Sequence, residues 1–319
     1  MKYLLLFSFA WLNSLMLFAQ KAYVFTYFDG SKQDAGMCLA YSYDGYHWTA
    51  LNDNKPVLKP EVGKDKLLRD PSICQAPDGT FHMVWTTGWG DRYIGYTSSQ
   101  DLIHWSEQQL IPVMEEFPAT RNSWAPELFY DRKSGQYYII WASTVPGAKQ
   151  VSTEGCVSED EYNHRIYYTT TRDFHKFSKT KLFFNPSFNV IDASIVQDPD
   201  TGEYIMAMKN ENLNPPEKNI RIGRTKSLKK GFSPEVSPSI SGAEWAEGPA
   251  PLFVGQDLLV YYDFYRLHRF GASVSHDKGK TWEDATGLIS VPEGISHGTA
   301  FAVERKYVDA LVSYFSKDK

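Results

Sequence analysis

The stretch Ser42-Tyr43-Asp44-Gly45-Tyr46-His47-Trp48 decides the fold, because it returns. Ser99 to Trp105 reads SQDLIHW, Thr171 to Phe177 reads TRDFHKF, and Ser275 to Trp282 reads SHDKGKTW. A degenerate copy, TKSLKKGF, runs from Thr225 to Phe232. The closing aromatics are spaced by 57, 72, 55 and 50 residues. That period is too long for helical solenoid units and suits four-stranded propeller blades. Each copy follows a β-rich run, and ahead of most of these lies another: FHMVWTT from Phe81, YYIIWAS from Tyr137, YIMAMK from Tyr204, LLVYYDF from Leu258. Asp78-Gly79, Ser134-Gly135 and Thr201-Gly202 mark hairpins entering three of them. Helical spacing is clear once, at Val308, Leu311, Val312 and Phe315. The pattern predicts an all-β, five-bladed propeller over residues 21–319, with a short C-terminal helix. A last strand after the fifth copy would complete the blade begun by the N-terminal strands, which removes exposed edges.

Five candidate inner strands start near Asp70, Ala125, Asp192, Glu247 and His297. Inner strands of a propeller begin at one end of the axis, so these residues should converge. Glu127 lies two residues beyond Ala125, so it points to the same face of its strand and joins the axial carboxylates. Crowded carboxylates raise at least one pKa, so an acid and a base can coexist near neutral pH. Two such groups across a pocket suit glycoside hydrolysis. Trp89, Trp124 and Phe188 flank these motifs as candidates for stacking on a sugar. Arg69, Arg221 and Arg269 could bind a ring hydroxyl or orient a carboxylate. Trp48, Trp105 and Trp282 recur with the turns and are structural.

Taken together, RDPS at 69–72, WAPE at 124–127, IDAS at 191–194, EGP at 247–249 and HGT at 297–299 resemble glycoside hydrolase family 43. The ordered set spans nearly the whole chain after residue 20. The resemblance implies a five-bladed, inverting hydrolase of arabinose- and xylose-containing glycans. It makes Asp70 the general base, Asp192 the residue that tunes and orients the acid, and Glu247 the general acid. Glu127 matches an acidic position beside the pocket. His297 matches a histidine near an axial cation, often Ca²⁺, held here through water. No cofactor is required for the chemistry. The activity expected is an exo-acting α-L-arabinofuranosidase, the insertion Val145 to His164 walling off one side of the pocket. A β-xylosidase, an endo-acting relative or a non-catalytic glycan-binding propeller are the alternatives. Sialidases share the turn motif, but their six blades and arginine cluster do not fit.

The 319 residues carry 33 Lys and Arg against 38 Asp and Glu, a net charge of −5. That gives no electrostatic drive toward nucleic acid. Aromatics at 15% exclude intrinsic disorder. Residues 1–20 read as a secretory signal peptide, with Lys2 ahead of the apolar run Leu4 to Ala19. About 16 residues is short for a membrane span, and no later segment suits one. A secreted or periplasmic monomer is expected. Cys38, Cys74 and Cys156 cannot all pair internally.

Overall fold

A computed structural model describes residues 20–32, 36–148, 158 and 161–317. Residues 1–19 of the signal segment, Cys156 and the middle of the 145–164 insertion lie outside the described residues.

Strands β1 (Lys21–Asp29), β2 (Met37–Ser42) and β3 (Thr49–Ala50) open the chain. A second blade follows with β4 (Arg69–Gln75), β5 (Phe81–Thr86), β6 (Ile94–Ser99) and β7 (Gln109–Ile111). The third holds β8 (Trp124–Asp131), β9 (Gln136–Ser143), β10 (Arg165–Thr171) and β11 (Lys181–Phe184). Strands β12 (Val190–Gln197), β13 (Tyr204–Asn210) and β14 (Asn219–Thr225) form the fourth. The fifth contains β15 (Glu247–Val254), β16 (Asp257–Phe264), β17 (Arg269–Ser275) and β18 (Glu283–Asp284). Strand β19 (Ile295–Glu304) then pairs with β1, giving the sheet order β19-β1-β2-β3. Lys21 faces Glu304 and Tyr27 faces Gly298, so the two ends of the chain share one blade. Innermost strands touch in a closed ring: β4 on β8, β8 on β12, β12 on β15, β15 on β19 and β19 on β4. The five-bladed propeller read from the repeat is the fold.

The blade of β12–β14 has three strands rather than the expected four. An irregular segment takes the outer place. Ser237 and Ile240 donate backbone hydrogen bonds to Ile222 and Ile220. The repeated turns show why they recur. In the first, the Ser42 hydroxyl accepts from the Gly45 amide at 2.9 Å, and Asp44 accepts from the amides of Tyr46 and His47 at 2.8 Å. Ser99 with Asp101, Thr171 with Asp173 and Ser275 with Asp277 repeat that wiring. Each side chain satisfies loop amides that would otherwise lack partners. Apolar faces of neighbouring blades pack between the sheets, as where Phe25 meets Trp48, Tyr261 and Phe270 edge-on at 5.2–5.8 Å. Helix α1 (Arg305–Phe315) buries Val308 and Leu311 in a second cluster with Val24, Leu39 and Phe81, as its spacing predicts.

Candidate active site

All five inner strands are bulged at the axial site. Register slips between Arg69 and Ser72, Trp124 and Glu127, Ile191 and Ser194, Glu247 and Ala250, and opposite Tyr27 to Asp29 on β19. A bulge adds a residue, bends the strand and re-aims a side chain. Asp70, Ala125 and Asp192 take left-handed backbone at φ 52, 46 and 54, and Gly248 does so at φ 60. Non-glycine residues held there mark a place where the surroundings over-determine the backbone.

This geometry corrects the expected alignment. Glu247 occupies the bulge position of Arg69, and Gly248 that of Asp70. Gly248 must lack a side chain, since a Cβ there would lie 2.6 Å from Cγ of His297. The imidazole of the last blade thus fills the place where a third aspartate would stand.

Asp70, Asp192, Glu247 and His297 come together at the axis. His297 Nδ1 lies 3.2 Å from Asp70 Oδ1. Thr86 donates to Asp70 Oδ2 at 2.8 Å and accepts from the Ala125 amide at 2.9 Å. Asp192 Oδ2 accepts from the Gly248 amide at 3.1 Å. Glu247 Oε2 meets Lys209 Nζ at 3.0 Å, and Lys209 also reaches Glu211 at 2.6 Å. Lys218 closes on the other oxygen of Glu211 at 2.5 Å. Glu247 is the most open of the acids, with 31% of its side chain exposed against 16% for Asp70.

The environments pull these groups apart. Burial acts to raise the Asp70 carboxyl, but His297, Arg69 and Thr86 outweigh it and hold Asp70 below the usual aspartate range. Burial pushes Asp192 up to about 6 despite His297 and Lys209, with Glu247 and Asp70 adding to the rise. Burial would depress His297, yet Asp192, Asp70 and Glu247 surround it and lift it to about 9. The acids thus have two cationic neighbours, His297 beside Asp70 and Lys209 on Glu247. Among the described residues no three His, Cys, Asp or Glu side chains gather as ligands.

The remaining expected residues separate. Trp89 is 52% exposed, and its ring lies edge-on to Trp124 at 5.9 Å. Trp124 Nε1 donates to the Trp89 carbonyl at 3.0 Å, and the ring also packs on Tyr162 and His164. Arg69 is held between Phe28 and Trp89, 4.1 and 5.1 Å from their centroids. These three form one wall beside Asp70. Phe188 instead lies buried in the core of the neighbouring blades, with Arg221 over its ring at 5.7 Å. Glu127 is buried too. Its oxygens accept from Ser72 at 2.7 Å and Ser194 at 2.8 Å, so it ties three inner strands together. The expected alternation failed there because the bulge lies between Ala125 and Glu127. Arg269 is exposed and rests on Phe264 at 4.9 Å.

Sequence reasoning missed a second wall. Trp245 and Tyr265 lie 6.3 Å apart, and Tyr265 sits over Lys209 at 4.7 Å. It also missed Asp263, which faces Glu247 across β15 and β16 and accepts from Ser296 at 2.7 Å. Burial pushes Asp263 up to about 6, with Glu247 adding to it and Ser296 and His297 opposing. A signal existed for both Asp263 and Lys209: Lys209 is the one charge in the apolar strand YIMAMKN, and Asp263 interrupts the apolar run from Leu258 to Phe264.

A family model described as a probable glycosyl hydrolase domain, of a group related to glycoside hydrolase family 43, matches residues 19–309. The chain belongs to this family. Solved structures agree in fold. The family-43 protein BlXynB from Bacillus licheniformis is 19% identical, with a TM-score of 0.51 over 72% of this chain and 42% of that one. A xylan β-1,4-xylosidase from Bacillus halodurans C-125 is 16% identical, with a TM-score of 0.52 over 73% and 44%. An exo-β-1,3-galactanase from Phanerochaete chrysosporium is 13% identical, with a TM-score of 0.53 over 70% and 51%. The chain thus spans about half or less of the length of these structures. No curated protein sequence matches it. In this family's propeller the acids Asp70, Asp192 and Glu247 of this chain gather on the axis.

Proposed function

We propose that this glycosyl hydrolase is an exported, exo-acting, inverting enzyme that releases arabinofuranose from plant polysaccharide. Asp70 serves as general base, Glu247 as general acid, and Asp192 tunes and orients that acid. One observation carries the reading. Three carboxyls from β4, β12 and β15 share the axis, with His297 3.2 Å from Asp70 favouring its anion and burial lifting Asp192 to about 6. In an inverting reaction the base takes a proton from water as its oxygen attacks C1, and the acid gives its proton to the departing glycosidic oxygen. His297, beside Asp70, keeps that carboxylate anionic with water bound, until the water oxygen attacks and Asp70 takes its proton. Trp89, Trp124 and Arg69 would hold the sugar against the wall beside the base.

The test is sugar release from aryl arabinofuranosides, xylosides and galactosides, and from arabinan and xylan oligosaccharides, by the wild type and by Asp70→Asn. Arabinose release that Asp70→Asn abolishes supports the assignment. Release of xylose or galactose alone would reassign the substrate. Absence of release from every substrate would make the chain a glycan-binding propeller. The anomeric form of the first product, followed by NMR, checks inversion.

A further inference from the structure

A second feature lies at the opposite end of the propeller. Strand β8 starts at the axial site with Trp124 and ends at Asp131, seven steps later, about 23 Å away at about 3.3 Å per residue. There a cleft of about 500 Å³ opens between the β8–β11 and β12–β14 blades, and it is lined by Lys133, Lys181, Lys226, Lys229, Tyr168 and Gln136 among others. That volume is in the range of small-ligand sites, roughly 300–1,000 Å³.

Charge sets this cleft apart. The chain is net −5, yet four lysines line it beside one carboxylate, Asp131. That carboxylate is already occupied, accepting from the Ser134 and Tyr204 hydroxyls at 2.6 Å. Lys133 is pinned on one wall, donating to the Gly202 carbonyl at 2.9 Å over the Tyr204 ring. Lys181, Lys226 and Lys229 are exposed and make no ion pair among the described residues. The floor is aromatic, with Tyr138 and Tyr168 within 11° of parallel.

The repeat supplies an independent observation. Four copies of the turn carry an aspartate that caps loop amides. The fourth in chain order has Ser227 there, and its Thr225 hydroxyl still accepts from the Ser227 amide at 3.2 Å. This copy carries three lysines, Lys226, Lys229 and Lys230, where the other copies carry at most two Lys or Arg, and it contributes Lys226, Ser227, Leu228 and Lys229 to the cleft. Here the motif has lost its acid and gained cations where the other lysines gather.

We propose that this cleft binds an acidic glycan chain, its carboxylates on Lys181, Lys226 and Lys229 and a sugar face on Tyr168. The choice of a glycan rests on the hydrolase reading; the cationic lining does not. Such a site would hold the enzyme on uronate-bearing polysaccharide while the axial site works on neutral side chains.

Affinity electrophoresis of the full chain through gels containing polygalacturonate, linear arabinan or neither tests it, with double-stranded DNA as a competitor. Polygalacturonate is expected to retard the wild type and Asp70→Asn equally. The triple variant Lys181→Ala/Lys226→Ala/Lys229→Ala should bind at least tenfold more weakly, and the triple arginine variant should bind as the wild type. Raising salt should weaken the wild-type interaction. Aryl-glycoside hydrolysis by the triple alanine variant should match the wild type, which shows that it folds. Retardation unchanged in that variant, equal displacement by DNA, or no retardation of the wild type would each overturn the site. Loss of all sugar release with retardation intact would instead strike the hydrolase reading.

Discussion

His297 Nδ1 and Asp70 Oδ1 stand 3.2 Å apart, although β19 and β4 contribute them from opposite ends of the chain. The contact crosses the seam where the propeller closes, so closure and the charge state of Asp70 are linked. A chain that failed to pair β1 with β19 would lose the imidazolium that keeps Asp70 anionic.

His297 therefore makes stability depend on pH. Its folded pKa, about 9, lies above its ordinary 6.5. The stabilisation is fully present below pH 6.5 and is lost as pH rises through 9. It amounts to on the order of 3 kcal/mol. Urea unfolding at pH 6, 7.5 and 9 should show that decline in the wild type, and His297→Asn should flatten it. A wild-type curve that rises across this window would contradict the assignment.

Asp70→Asn keeps the shape and the Thr86 contact but removes the charge. As the proposed general base, Asp70 should account for about 10²–10⁴ in kcat. Its loss should also let the imidazolium titrate lower, which NMR of the His297 ring would report. An active Asp70→Asn enzyme would remove Asp70 from the base role.

Lys209 sits between Glu247 and Glu211 with 4% of its side chain exposed. Lys209→Met removes the cation between half-buried Glu247 and Glu211, leaves Glu211 with Lys218 alone, and should destabilise by about 2–4 kcal/mol. Adding Glu247→Gln to that variant should recover part of the loss, and Lys209→Arg most of it. Additive effects in this cycle would mean that Lys209 and Glu247 do not interact.

Gly248 has no room for a methyl group beside His297 and needs its left-handed backbone. Gly248→Ala should cost about 2–4 kcal/mol from backbone conformation and overpacking together. It should also lower kcat, because the ring it displaces faces Asp70. Thermal denaturation and steady-state kinetics on one preparation would measure both.

Glu127 and Trp89 make a contrasting pair. Glu127→Ala leaves Ser72 and Ser194 without their acceptor and should lower stability by about 1–3 kcal/mol with KM nearly unchanged. Trp89→Ala should raise KM severalfold with no change in Tm, since half of its surface is open to solvent. The reverse pattern would exchange their roles.

The sequence by itself determined the number of blades, because the turn wiring is local. A hydroxyl and a carboxylate cap amides two to four residues away, and such short-range chemistry leaves a readable period. It also located the axial acids, since each strand start follows its blade in order. What only the tertiary structure decided depends on the bulges. One inserted residue moves every later side chain to the other face, so Glu127 turned into the wall and the acid of β15 stands one place earlier than that of β4. Partners from distant strands were equally hidden. Lys209, Asp263 and Thr86 meet the acids only through cross-strand and cross-blade contacts, for which a single sequence carries no period.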